Sequence, residues 1–270
     1  MTLYVAFAAV RDGELASDDV ITVSATAAAA PPVRLGVKAG ATLSFDAALS
    51  GLIVSSGNDL AVAIAEALAG TEAAFVTRMN SAARSLGLHG TRFTNASGLP
   101  QPGQVTTARD LIVLARALRD EFPRDYARFS ATAFTYAGRR IETHNNFVRA
   151  YAGASGLKTG FTCRAGFNLV AAATRNGRHL VGVVLGESNA AARDQRMVRL
   201  MNAGFDGTVQ PAFTLDAFPD PNAQGLGEEV NQQMIATNCI NPQPGREYFR
   251  VQDWSILLGG VDMTRREALA

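Results

Sequence analysis

The chain has 270 residues, 47% of them hydrophobic, which suits one sizeable core with a small appendage. Basic residues number 25 and acidic residues 24, a net charge of +1, so nothing points to nucleic acid or another polyelectrolyte as a partner. The three histidines (His89, His144, His179) and two cysteines (Cys163, Cys239) lack ligand spacing, so neither a metal nor another cofactor is expected. The cysteines are compatible with one disulfide in an oxidising compartment or with two free thiols.

In chain order, Met1 to Val10 is apolar. No basic segment precedes it and no Ala-x-Ala cleavage site closes it before Arg11-Asp12-Gly13. It therefore reads as part of a buried helix that began upstream, not as a signal peptide. No run reaches the roughly 18 apolar residues of a membrane span. Phe45 to Leu68 is rich in Ala and Leu and reads as helix, broken at Ser55-Ser56-Gly57-Asn58 by residues that disfavour helix interiors. Thr71 opens a further helix that ends near Leu86 before Gly87, and another spans Thr107 to Phe122 before Pro123. Asn95 to Gly103 between them has loop composition.

The pattern then changes. Phe167 to Thr174 and Leu180 to Leu185 are apolar runs joined across Asn176-Gly177, the signal of a hairpin with a type I′ turn. Their nearly continuous apolarity predicts burial on both faces, with helices packed against the sheet. Arg193 to Gly204 reads as a closing helix, and 208–247 as a linker rich in Pro, Asn, Gln and Gly. In 248–270 a strand pattern at Val251, Trp254, Ile256 and Leu258 gives way to a helical one from Thr264.

Two tripeptides carry the chemistry. Ser56-Gly57-Asn58 interrupts a helical region, and Lys158-Thr159-Gly160 precedes the hairpin. In that order they are two parts of the three-part signature S-x-x-K, S-D/G-N, K-T-G. Around them stand Arg34-Leu35-Gly36-Val37-Lys38-Ala39-Gly40, Asp59, Gly70 to Val76, Met79-Asn80, Leu86-Gly87-Leu88, Thr107 to Leu111 and Ala165 to Val170. As an ordered set, these stretches resemble the serine D-alanyl-D-alanine carboxypeptidases, the low-molecular-mass penicillin-binding proteins of peptidase family S11. The resemblance covers about residues 1–207.

It implies an α/β (α+β) fold of the DD-peptidase/β-lactamase type: an antiparallel sheet between a helical cluster and further helices, with N-terminal strands missing. In the family the S-x-x-K helix runs into Met-Thr-x-Tyr-Val, and this chain opens Met1-Thr2-Leu3-Tyr4-Val5. The nucleophilic Ser and its Lys would thus lie just upstream, leaving residues 1–270 inactive alone, with unpaired sheet surface and a tendency to aggregate. Ser155-Gly156-Leu157-Lys158 matches S-x-x-K literally. Leading into a strand, however, it would hold Ser and Lys about 10 Å apart on opposite faces, whereas the chemistry needs them one helical turn apart on one face.

A serine hydroxyl attacks a carbonyl once a nearby base takes its proton. By resemblance, Ser56 relays a proton to the leaving amine, and the Asn58 amide holds the substrate amide and the catalytic Lys through its acceptor and donors. Lys158 supplies a fixed positive charge, the Thr159 hydroxyl binds a terminal carboxylate, and Gly160 lets a peptide lie against the strand edge. The Phe161 backbone N–H would be an oxyanion donor, and Arg193 resembles the family's carboxylate-gripping Arg. The function implied is removal of the terminal D-Ala from peptidoglycan pentapeptide stems through an acyl-enzyme. The compartment would be periplasmic or extracytoplasmic, and β-lactams would be covalent inhibitors. A non-catalytic peptidoglycan-binding remnant is the alternative. A class A β-lactamase relative is less favoured, since no Glu stands in a deacylating context. The tail around Asp253 to Gly260 resembles the start of a SPOR domain, although Leu257 and Val261 depart from its pattern; an exposed tail with one amphipathic strand is the other reading.

Overall fold

The computed structural model describes residues 1–208 and, by backbone alone, residues 256–259. The chain divides into two compact units, Met1–Asn145 and Asn146–Ala270.

The first unit contains α1 (Thr2–Arg11), β1 (Val20–Thr22), α2 (Ala25–Ala28), β2 (Thr42–Ser44), α3 (Phe45–Ser55), α4 (Asn58–Ala69), α5 (Glu72–Ser85), α6 (Ala108–Glu121), α7 (Pro123–Tyr126), β3 (Ala133–Tyr136) and β4 (Arg139–Glu142). Side-chain caps set the helix starts. Ser44, Thr71 and Thr107 accept from the backbone N–H groups of Ala47, Ala74 and Asp110, satisfying donors that a helix start leaves open. These starts match the sequence boundaries closely. Helix α4 is the centre of the unit: Asn58 through Ala65 are all buried, and α1, α2, α3 and α5 pack around it. Phe7, Phe45 and Phe75 are fully buried, each contributing about 1.5–3 kcal/mol through the apolar area withdrawn from water.

Two short antiparallel pairs were not anticipated from sequence. β1 pairs with β2, and β3 pairs with β4 through a turn in which Ala137 and Gly138 both take positive φ (47° and 74°). Strands of three or four residues are too short for a period-two pattern to stand out.

The second unit contains α8 (Asn146–Ala150), β5 (Ala154–Thr162), β6 (Gly166–Arg175), β7 (Arg178–Glu187), α9 (Ala190–Phe205) and β8 (Ile256–Gly259). Its antiparallel sheet has the order β5-β6-β7-β8. Asn176 and Gly177 adopt φ 51° and 76°, the type I′ geometry expected of Asn-Gly. Successive side chains on a strand face opposite ways, so full burial of Ala171, Ala172 and Ala173 means that both faces are covered there. One face packs on α9, where Met197 and Met201 join Leu169, Ala171, Leu180 and Val184 in the core.

Helix α9 begins three residues before Arg193 because Asn189 caps it, its Oδ1 accepting from Ala192 N at 2.8 Å. Its last turn is closed by Arg178, whose guanidinium donates to the Gly204 and Phe205 carbonyls at 3.0 and 2.9 Å. β8 pairs with β7 from Val183↔Ile256 to Leu180↔Gly259. The expected linker 208–247, after its first residue, and the rest of the tail lie outside the described residues. Among the described residues no single helix is long and apolar enough to cross a membrane.

Candidate active site

Two of the seven sequence-predicted site residues, Ser56 and Asn58, belong to the first unit. Helix α3 stops at Ser55, and Ser56 takes left-handed angles (φ 58°, ψ 33°) that turn the chain. A residue with a Cβ pays about 1–2 kcal/mol for that conformation, so this half-buried serine sits at a strained point between two buried helices. Gly57 caps α4, and Asn58 is its first residue.

The Asn58 side chain is buried and oriented by a loop distant in sequence. Its Nδ2 donates to Pro31 O at 3.0 Å and its backbone N–H to Val33 O at 2.8 Å. One amide donor that the sequence reading left for ligands is therefore committed inside the protein, and it sets how the amide is turned. Asp59 follows, fully buried, accepting from the backbone N–H groups of Leu35, Gly36, Val37 and Leu60. Arg34 to Gly40 and Asp59 belong to the family pattern, but nothing in their local sequence assigns them a role. The contacts that join them span more than twenty positions, which no local pattern reveals.

The second unit carries the rest of the predicted residues. Lys158, Thr159, Gly160 and Phe161 lie on β5, opposite Val170, Leu169, Asn168 and Phe167. Among the described residues β5 is an edge strand of the sheet, with no neighbouring strand on one side of its backbone. Burial lowers the Lys158 ammonium from 10.5 to about 8, and its Nζ donates to Thr159 O at 3.3 Å. A Cβ built on Gly160 would meet nothing within 4 Å. The protein's own packing does not ask for glycine there, and the space in front of it is open. Phe161 is 48% exposed and stacks on Phe167 with centroids 4.1 Å apart.

Arg193 lies in the first turn of α9, only 4% exposed, and pairs with Asp194 through Nε and Nη2 at 2.9 and 2.8 Å. It is thus a buried, engaged cation and not a surface charge. Cys163, in the turn after β5, is disulfide-bonded, while Cys239 lies outside the described residues. Ser155 and Lys158 share β5, so the literal S-x-x-K is strand and lacks the one-turn spacing of a nucleophile and its base. Among the described residues no three His, Cys, Asp or Glu side chains gather as a metal site would need.

Residues 1–189 match the family model described as D-alanyl-D-alanine carboxypeptidase. The chain is 35% identical over 212 residues to the D-alanyl-D-alanine carboxypeptidase DacC of Escherichia coli strain K12, covering 76% of this chain and 53% of that protein. The chain spans about half the length of the curated relatives it matches. Among solved structures, penicillin binding protein 6B from Escherichia coli superimposes with a TM-score of 0.72 and 35% identity, over 76% of this chain and 66% of that one. Penicillin-Binding Protein D2 from Listeria monocytogenes in its cefotaxime-bound form gives 0.68 and 30%, over 76% and 85%. The DD-peptidase fold class expected from the motifs is the one these structures share.

Proposed function

The chain belongs to the D-alanyl-D-alanine carboxypeptidase family of peptidases, and from that premise we propose that it serves a serine-type D-Ala-D-Ala carboxypeptidase. Its substrates are peptidoglycan stem peptides ending in D-Ala-D-Ala, trimmed outside the cytoplasmic membrane through an acyl-enzyme, with β-lactams as covalent inhibitors. The observation that carries the reading is Lys158-Thr159-Gly160 on the open edge of β5. An extended peptide pairs with such an edge as an added strand, and the bare Gly160 lets its backbone come close. The Lys158 cation and the Thr159 hydroxyl are the groups that recognise a terminal carboxylate.

The remaining roles follow from acyl transfer. Ser56 relays the proton to the departing D-Ala amine, and the oriented Asn58 amide holds the substrate amide. The Phe161 N–H stabilises the oxyanion that forms as the carbonyl is attacked. Arg193 assists Lys158 at the carboxylate. Penicillin-Binding Protein D2 from Listeria monocytogenes binds cefotaxime, and the shared fold supports the same inhibitor class here.

The test uses the protein expressed from its complete reading frame. D-Ala release from a pentapeptide ending in D-Ala-D-Ala is measured together with the intact mass after exposure to a penicillin. Both a released D-Ala and a covalent penicillin adduct are expected. Binding to peptidoglycan without either would instead support the non-catalytic reading.

A further inference from the structure

We infer that Asp59 is a positioning residue: it clamps the 31–37 loop, and through that loop sets the side-chain amide of Asn58 for the acyl-transfer chemistry proposed above, on which this inference rests. The carboxylate is completely buried. Oδ1 accepts from Leu35 N and Leu60 N, both at 3.0 Å, and Oδ2 from Gly36 N at 2.8 Å and Val37 N at 3.4 Å. Two donors on each oxygen fill the acceptor capacity of a carboxylate. A charged acceptor makes each such bond stronger than a neutral one would.

Beyond the Asp59 and Asn58 bonds, Arg34 Nη1 ties the loop to the Ala28 carbonyl at 3.1 Å, and Leu35 is half-buried. Residues 31–37 form no helix or strand, and Pro31, Pro32, Val33, Arg34 and Gly36 are exposed, with only Val37 buried. Its position depends on hydrogen bonds, and these run in two directions. Asp59 grips the end at 35–37, and the other end returns the Pro31 and Val33 carbonyls to Asn58. Asn58 and Asp59 are adjacent on the buried start of α4, so the loop closes a circuit onto the residue beside its own anchor. The carboxylate also sits tightly against the Ser56-Gly57-Asn58 turn, since a Cβ on Gly57 would fall 2.7 Å from Asp59 Oδ1. A residue that only helped to start α4 would need the bond to Leu60; the other three bonds go to the loop.

The test is Asp59→Asn, nearly isosteric, which sets an NH2 group against two of the four N–H donors whichever way the amide turns. Amide hydrogen exchange is expected to quicken by a hundredfold or more at Leu35, Gly36 and Val37, while Ala63 and Ile64 within α4 are unchanged. In the protein expressed from its complete reading frame, as in the activity test above, the rate of acylation by a saturating penicillin should fall tenfold or more. In an Asn58→Ala background the same substitution should change acylation less than twofold, because the group it acts through is gone. Additive losses in the two backgrounds, or unchanged exchange at 35–37, would overturn the inference. Should Asp59→Asn not fold, exchange in the unmodified protein decides: protection at 35–37 comparable with α4 supports the clamp, and free exchange refutes it. Absence of acylation in the unmodified protein would sink the proposed activity alone, since the exchange data report on the clamp independently.

Discussion

Ser56 offers a measurement of how much backbone strain the Ser56-Gly57-Asn58 turn stores. Its angles (φ 58°, ψ 33°) lie in the left-handed region, where a Cβ crowds the following carbonyl. Ser56→Ala and Ser56→Gly both delete the hydroxyl and its interactions, so the difference between them reports the backbone alone. Alanine keeps the steric cost of about 1–2 kcal/mol. Glycine avoids it but brings about 0.5–1 kcal/mol of extra unfolded-state entropy. The glycine variant is therefore expected to be the more stable by about 1 kcal/mol, or about 2–4 °C in melting temperature for a chain of this size. Urea titration and calorimetry of the two variants side by side give the number. Acylation should be impaired alike in both, because the lost proton relay does not depend on the backbone. An alanine variant as stable as the glycine variant, or more so, would show that position 56 is not held in the left-handed region at a cost.

The Lys158 ammonium, lowered by burial to about 8, makes stability depend on pH. Below about pH 8 the lysine is charged in both states and the folded protein bears the burial penalty; between about 8 and 10.5 only the unfolded chain keeps the proton, so stability rises with pH by on the order of 2–3 kcal/mol. Lys158→Met should abolish that rise in melts from pH 7 to 10, and affinity for a peptide with a free C-terminal carboxylate should weaken above about pH 8 in the unsubstituted protein. Gly160→Ala meets no atom within 4 Å, so its unfolding free energy should stay within about 0.5 kcal/mol of the parent while penicillin acylation drops at least tenfold; a variant with intact acylation would remove the edge-pairing argument. Gly153→Ala does the opposite. Its Cβ would lie 2.2 Å from the Thr174 carbonyl oxygen at a residue with φ +79°, so a loss of about 2–4 kcal/mol is expected by denaturant titration, and a loss under 1 kcal/mol would contradict the β5–β6 geometry.

Elements specified by neighbouring residues were legible in the chain. The break between α3 and α4 is written in Ser55-Ser56-Gly57-Asn58, because glycine and asparagine weaken a helix through their own backbone and side-chain preferences. The β6–β7 hairpin follows from Asn176-Gly177, whose positive φ values match the twist of the flanking strands. Helix α9 starts three residues before Arg193 because its start is set by the Asn189 cap, a single side-chain contact that the apolar pattern does not carry. The short pairs β1–β2 and β3–β4 left no periodic trace.

By itself, the sequence determined the two motifs, the helical first half, the hairpin of the second and the family to which they lead. The tertiary structure alone decided what those residues experience. It partly buried Lys158 and so lowered its pKa, and it buried Arg193 against Asp194. It also turned the Asn58 amide through a loop held by Asp59. The reason is physical: helix breaks and turns depend on the torsions of adjacent residues, whereas burial and hydrogen bonds across more than twenty positions exist only once the chain has folded.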